Sequence, residues 1–347
     1  MDSDKDKYKK LCNTENSIPI FSTYWWMDTV CGEDNWDVFL VEKGNQVLAT
    51  LPYFLNKSLG DRFVCQPMLT QKNGIWINYP KNQKNEKKLT FENNVMTNVS
   101  EKIDSLNVSS YNQNFDYGFT NWLPFYWKGF KQTTRYTYVI EDTSNIEEIF
   151  KCFNSNVKSN ILKLQEEATV YFSEDIEAFY KLHKDVFDRQ KLKLKYSLEF
   201  LKKLDAECSK RGVRKMIFVK DKEGNLISAV YLVWDENSMY YLMSGSKTEN
   251  RNFNFNTLAV WESIKLASQM NKKFDFEGSM IQPVAEYFRR FGPVQKTYFN
   301  ISKDYAPRSV FNKFARHMYN KCSKFLKIVK GIVMIICPFA LNLYLLD

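Results

Sequence analysis

The chain has 347 residues, 44% of them hydrophobic, which is enough for a sizeable core and, at roughly 150 residues per domain, for two domains. Seven cysteines, an odd number with no pair at CxxC spacing, argue against a disulfide framework or a cysteine zinc site. Two histidines far apart in sequence, His183 and His317, argue against a histidine metal centre, so no metal is expected. The formal charge of +9 is uneven: seven Lys or Arg and one acid from Arg308 onward put +6 in the tail and leave +3 for the rest, which shows no basic patch of the kind a nucleic-acid binder needs.

The first residues, MDSDKDKYKKLCNTENS, are polar and lack an apolar core, so a secretory signal is not expected and a reducing cytoplasm fits the cysteines. Strands are expected over 37–41 and 46–54, flanking the hairpin signal at Gly44 and Asn45. The stretch 81–88, KNQKNEKK, reads as a solvated loop, and a helix over 93–106 precedes strands over 109–115 and 132–140. A polar break at 141–145, EDTSN, separates two halves, with Asp142, Thr143 or Ser144 placed to cap the helix that follows.

The second half reads more clearly. A short strand at 169–172 leads into an amphipathic helix whose stripe is Ile176, Phe179, Tyr180, His183, Val186 and Phe187. A second helix spans 197–210, and strands over 213–220 and 226–234 are joined by the turn DKEGN. Then come a strand at 239–244, a polar loop, a helix at 257–270, a strand at 273–277, a helix at 283–291 and a strand at 295–301. From 169 onward the order is β-α-α-β-β-β-α-β-α-β.

That order is the GNAT element order. The segments WDVFLVEKGNQVLATLPYF at 36–54, NWLPFYWKGFKQTTRYTYVI at 121–140, FDFEGSM at 274–280 and EYFRRFGPVQKTYF at 286–299 resemble the FemAB-like, BioF2-like acyltransferases of the GNAT superfamily. The resemblance covers roughly 17–305 and implies an α/β (α+β) fold of two GNAT-like domains, 1–141 and 142–306, with mixed central sheets flanked by helices, followed by a basic amphipathic and apolar tail at 307–347. It also implies acyl transfer to an amine or hydroxyl. The donor is acetyl-CoA or another acyl-CoA, or, in Fem-type members, aminoacyl-tRNA.

In a GNAT fold the strand at 239–244 splays from the strand at 273–277, and the donor lies in the gap. Backbone N–H groups at Leu242 and Met243 are then placed to hold an oxyanion. Arg251, Asn254, Asn256 and Thr257, at the start of the next helix, are candidates to face donor phosphates. The loop there, RNFNFNT, lacks the glycines usual in CoA enzymes. Asp275, Glu277 and Ser279 alternate along a strand and share one face, with Glu277 the candidate general base or, equally, a structural carboxylate paired with a nearby Lys or Arg. The superfamily's leaving-group tyrosine, counted back from Gly292, falls on Phe288, leaving adjacent Tyr287 as its substitute. His183, Trp122, Trp127 and Arg289 are candidates for acceptor contacts; His183 and both tryptophans also fit ordinary core packing.

The tail carries an apolar helical face with lysines opposite it and runs into GIVMIICPFALNLYLL, too short for the ~20 residues of a membrane span, so an anchor on an anionic membrane surface is expected. The expected protein is a cytoplasmic acyltransferase, or one peripheral to the inner face of the plasma membrane. Its acceptor is a glycan or lipid-linked sugar precursor of polysaccharide or cell-envelope biosynthesis. The alternatives are a tRNA-dependent Fem-type transferase and a non-catalytic binding scaffold.

Overall fold

A computed structural model describes residues 2–58, 60–247 and 254–305; Arg251, His317 and the tail lie outside the described residues. The polar N-terminus forms a helix, α1 (Asp4–Cys12), closed by a capping box between Ser3 and Asp6. Its single buried residue, Tyr8, donates a hydrogen bond to the carbonyl of Ser22 at 2.6 Å. Helix α2 (Tyr24–Cys31) follows. Strands β1 (Trp36–Lys43) and β2 (Gln46–Ser58) pair antiparallel around the turn at Gly44 and Asn45, and β3 (Asp61–Cys65) and β4 (Trp76–Ile77) both pair with β2.

Helix α3 (Asn85–Ser105) starts inside the stretch expected as a loop, because Glu86, Lys87 and Lys88 are good helix formers. Strand β5 (Ser110–Asn114), helix α4 (Leu123–Trp127) and strand β6 (Lys131–Ile140) complete the first half. Helix α5 (Ile146–Cys152) is capped by Asn145, whose side chain accepts from the N–H groups of Glu147 and Glu148, rather than by Asp142, Thr143 or Ser144.

After α6 (Ser155–Glu167) come β7 (Ala168–Phe172), α7 (Ile176–Arg189), α8 (Leu198–Lys210), β8 (Arg214–Asp221) and β9 (Leu226–Trp234). They are followed by β10 (Ser238–Ser246), α9 (Phe255–Gln269), β11 (Lys273–Asp275), α10 (Gln282–Arg289) and β12 (Val294–Asp304). From β7 onward this is the expected element order.

The strands form one mixed sheet in the order β1-β2-β3-β5-β12-β6-β11-β10-β9-β8-β7, with β4 attached to β2. The last strand, β12, lies between two strands of the first half: it pairs with β6 over most of its length, and the Phe115 N–H donates to the Phe299 carbonyl beside β5. An amide cluster fastens that side, with Asn300 Nδ2 donating at 2.8 Å to Asn112 and to Asn114.

Strand β9 is buried on both faces, as its unbroken apolar run requires. Val230 and Leu232 join a core with Ile161, Leu164, Leu258 and Val260 of α6 and α9. Ala229, Tyr231 and Val233 join another with Phe179, Leu182, Leu201 and Leu204 of α7 and α8. Among the described residues no helix is long and apolar enough to cross a membrane.

Helix α7 lies hard against β10 at Gly245. A Cβ there would sit 2.5 Å from the His183 nitrogen and 2.6 Å from the Leu182 carbonyl carbon, both backbone atoms that cannot swing away. Gly245→Ala is therefore expected to lower stability by about 1–3 kcal/mol, read from the urea midpoint.

Candidate functional site

Strand β10 pairs with β11 in parallel only from Ser238 opposite Lys273 to Tyr240 opposite Asp275. Strand β11 ends there while β10 continues to Ser246, so the two part. On the other side of β10 the register with β9 slips between Tyr241 and Met243, which makes Leu242 an extra, unpaired residue of a β-bulge. The gap opens into a cleft of about 810 Å³, lined by Leu242, Met243, Asn256, Phe276, Glu277 and Tyr287, with a further wall from the loop at 66–71.

The expected alternation of Asp275, Glu277 and Ser279 along one strand face does not hold. The strand stops at Asp275, and Glu277 and Gly278 both take left-handed backbone, with φ of +62° and +64°. A non-glycine residue in that region carries a conformational cost of order 1–3 kcal/mol and persists only when its surroundings hold it. Here Asp275 does so. Its Oδ1 accepts from the Glu277 N–H at 2.8 Å and from the Thr137 hydroxyl at 2.5 Å, and its Oδ2 accepts from Lys72 Nζ at 2.7 Å. Gly278 allows close approach to β6: a Cβ on it would lie 2.1 Å from the Tyr136 carbonyl oxygen. Ser279 Oγ accepts from the Ile281 N–H at 3.0 Å in the turn before α10, and Ser279 does not line the cleft.

Lys72 was not among the expected site residues; it follows the cleft-lining Gln71 and holds Asp275, two residues before the cleft-lining Glu277. It is 3% exposed, paired with Asp275 and 3.7 Å from Asp116. The rings of Tyr117, Tyr240 and Tyr298 surround it with centroids at 5.0, 5.8 and 5.9 Å. Burial works against its charge, but Asp275, Asp116 and Glu277 outweigh burial and hold its pKa above the ordinary lysine value. Hydrogen bonds from Gln71 to the Tyr298 hydroxyl, from Asn114 to the Gln71 carbonyl and from Gln113 to the Asn73 carbonyl hold its loop. One sequence signal marks Lys72: it is the lone charged residue in the run 63–80.

Glu277 is 7% exposed, and its Oε1 has no hydrogen-bond partner among the described residues. Burial pushes its pKa well above the ordinary carboxyl value; Lys72 opposes that, while Asp275 and Asp116 add to it. A buried polar atom left unpaired beside a cleft is unusual in a native protein.

At the other end of the cleft, Asn256 Nδ2 donates to the hydroxyls of Tyr241 at 2.9 Å and Tyr287 at 3.2 Å, and its Oδ1 accepts from the Ser228 hydroxyl at 3.3 Å. Tyr287 and Phe288 both line the cleft; the Tyr287 hydroxyl is held by Asn256, and Phe288 packs among Phe276, Tyr241 and Tyr138. Asn254 caps α9 without a side-chain hydrogen bond; its carbonyl and N–H are both tied to the Asn160 amide. Thr257 is buried and does not line the cleft.

His183 lines the cleft with both nitrogens engaged. Nδ1 faces the Ser244 carbonyl at 2.6 Å and so carries the proton, leaving Nε2 to accept from the Tyr196 hydroxyl at 2.7 Å. Burial lowers its pKa against the Ser244 contact, which favours the neutral ring. Trp122 packs edge-on against Tyr126, Trp127 stands exposed at the end of α4, and Arg289 is exposed on α10; none of the three lines the cleft. Among the described residues no group of three or more His, Cys, Asp or Glu is placed to hold a metal ion.

Comparison with known proteins bears on the fold. Residues 153–281 match the model of the acetyltransferase (GNAT) domain. No curated protein matches by sequence. Among solved structures, FemX is similar with a TM-score of 0.64 at 14% identity, over 86% of this chain and 96% of FemX. A conserved protein of unknown function from Bacteroides thetaiotaomicron VPI-5482 is similar at 0.52 and 9% identity, over 86% and 97% of the two chains. The C-terminal domain (DUF2156) of a protein described as a lysylphosphatidylglycerol synthetase, from Agrobacterium fabrum, is similar at 0.51 and 7% identity, over 87% and 92%.

Removing one partner of the buried ion pair strands the other. Lys72→Met is expected to cost about 3–5 kcal/mol in urea unfolding, and adding Asp275→Leu to recover part of that loss, because the fully buried Asp275 carboxylate is then no longer left without its cation. A double variant no more stable than the single one would show that the pair is not the unit that matters.

Proposed function

We propose that this chain, whose residues 153–281 match the acetyltransferase (GNAT) domain and whose fold is similar to that of FemX, transfers an acyl group from acetyl-CoA or another acyl-CoA to an amine or hydroxyl of a glycan or lipid-linked sugar. The observation that carries this reading is the cleft itself. A strand with a bulge at Leu242, a buried carboxyl whose Oε1 has no hydrogen-bond partner among the described residues, and the start of α9 line the same cleft.

The donor carbonyl is held in the gap, with its oxygen toward the backbone N–H groups at Leu242 and Met243. The acceptor nitrogen or oxygen attacks the carbonyl carbon and passes its proton to the Glu277 carboxylate, directly or through water. As the tetrahedral intermediate collapses, the carbon–sulfur bond of the thioester breaks. Tyr287, whose hydroxyl hydrogen-bonds Asn256, is the group nearest in kind to a proton donor for the leaving thiolate. Asn254, Asn256 and the N–H groups at the start of α9 face the donor phosphates. Thr257 supports Tyr287 from behind. His183 shapes the acceptor side as a neutral, fixed ring.

The division into halves at 1–141 and 142–306 belongs to this reading and is supported by the element order from β7. The tail at 307–347 is proposed to hold the enzyme at an anionic membrane. An aminoacyl-tRNA donor is the second reading, favoured by the absence of glycine at Asn254, Phe255 and Asn256. A loop without glycine approaches a pyrophosphate less closely.

Calorimetric titration with acetyl-CoA and free CoA tests the donor. Micromolar binding, lost when Asn254 and Asn256 are made bulky, is expected; no binding to either ligand moves the donor to charged tRNA. With a donor and acceptor in hand, Glu277→Gln is expected to lower kcat by about 10²–10⁴-fold. Unchanged turnover would remove Glu277 from that role.

The pH dependence has a definite sign. Glu277 has a folded pKa raised above its ordinary 4.5, so from about pH 4.5 up to that folded value the native state keeps a proton that the unfolded chain releases. Stability therefore falls as pH rises through that window, while the base form, and with it the rate, grows. Glu277→Gln is expected to flatten this part of the stability profile, measured as urea midpoints across pH.

A further inference from the structure

Large exposed apolar side chains gather on the three segments that form the cleft mouth. Leu192, 45% exposed, and Ile281, 65% exposed, both line the cleft. Met280, 55% exposed, directly precedes Ile281, and Met68, 37% exposed, lies between the cleft-lining Pro67 and Leu69. Single exposed apolar residues are ordinary, but a set drawn from separate segments and ringing one opening marks an interaction surface.

The segment that carries Leu192 is basic. Arg189, Lys191, Lys193 and Lys195 are exposed, and the run 189–196 contains no acid. Lysines alternating with leucines, as in KLKLK at 191–195, set cations beside apolar groups.

That pairing selects the occupant. A soluble polyanion answers the cations and leaves Leu192, Met280 and Ile281 in water, and an apolar protein face leaves the cations unanswered. An anionic bilayer answers both: apolar side chains enter the headgroup–acyl boundary while Lys and Arg stay among the headgroups. We propose that the cleft mouth seats on an anionic lipid bilayer through Met68, Leu192, Met280, Ile281 and the lysines at 191–195. The cleft then opens toward the membrane, and an acceptor carried on a lipid enters it from there. The entry of acceptor rests on the acyl-transfer reading; the docking does not.

The test is hydrogen–deuterium exchange on the full chain with vesicles of phosphatidylcholine and phosphatidylglycerol, against vesicles of phosphatidylcholine alone. Slower exchange is expected over 66–71, 189–196 and 279–284 with the anionic vesicles only. Leu192→Asp with Ile281→Asp, both at exposed positions, is expected to weaken vesicle partitioning about tenfold or more.

Protection confined to 306–347, or none at all, would overturn the proposal. So would a rim already protected before vesicles are added, since the chain itself then covers it. Partitioning lost in Lys191→Glu with Lys193→Glu but unchanged in Leu192→Ser with Ile281→Ser would identify a polyanion site instead. No donor or acceptor enters these measurements, so their failure leaves the acyl-transfer reading intact, and a blank CoA titration leaves the docking intact.

Discussion

A buried ion pair between Lys72 and Asp275, 203 positions apart in the chain, holds the cleft together. Taking two charges out of water costs several kcal/mol for each ion, and the pair survives only where further contacts satisfy it. Here the Thr137 hydroxyl and the Glu277 N–H complete Asp275, and three tyrosine rings and Asp116 surround Lys72. Of these partners Glu277 lines the cleft, and Lys72 directly follows the cleft-lining Gln71. The pair joins the loop at 66–73 to the end of β11, and that loop and the residues directly after β11 both line the cleft.

The conformation of Glu277 follows from that pair. With Asp275 fixed by Lys72 and Thr137, its Oδ1 also accepts from the Glu277 N–H and holds the left-handed backbone at Glu277, and Gly278 continues the turn against the backbone of β6. The same turn ends β11 early, and β10 loses its partner on that side beyond Tyr240. The opening of the cleft and the placing of its carboxyl are therefore one structural event.

Two titratable side chains in the cleft wall show how differently burial can be resolved. His183 has a partner for each nitrogen, and its helix is locked to β10 by the contact at Gly245. Glu277 retains an oxygen with no partner among the described residues, and burial favours its neutral form. A satisfied group shapes a surface; an unsatisfied one beside open space retains the capacity to bind or to exchange a proton.

The sequence by itself determined the periodic elements. Alternation and apolar runs marked the hairpin at Gly44 and Asn45 and the order from β7 onward, because local side-chain spacing alone dictates which residues share a face. It also marked Leu242, Met243, Asn256 and Glu277 as cleft residues, since the element order carries the position of the gap. Helix α1 was hidden, because its one buried residue, Tyr8, makes no pattern. Only the tertiary structure decided that Asp275 is consumed by an ion pair, that the strand ends before Glu277, and that Trp122, Trp127 and Arg289 stand away from the cleft. The reason is physical: the partner that sets Asp275 and Glu277 is a single lysine in a distant loop, and a contact over 203 positions leaves no period or spacing in the chain for either residue to announce.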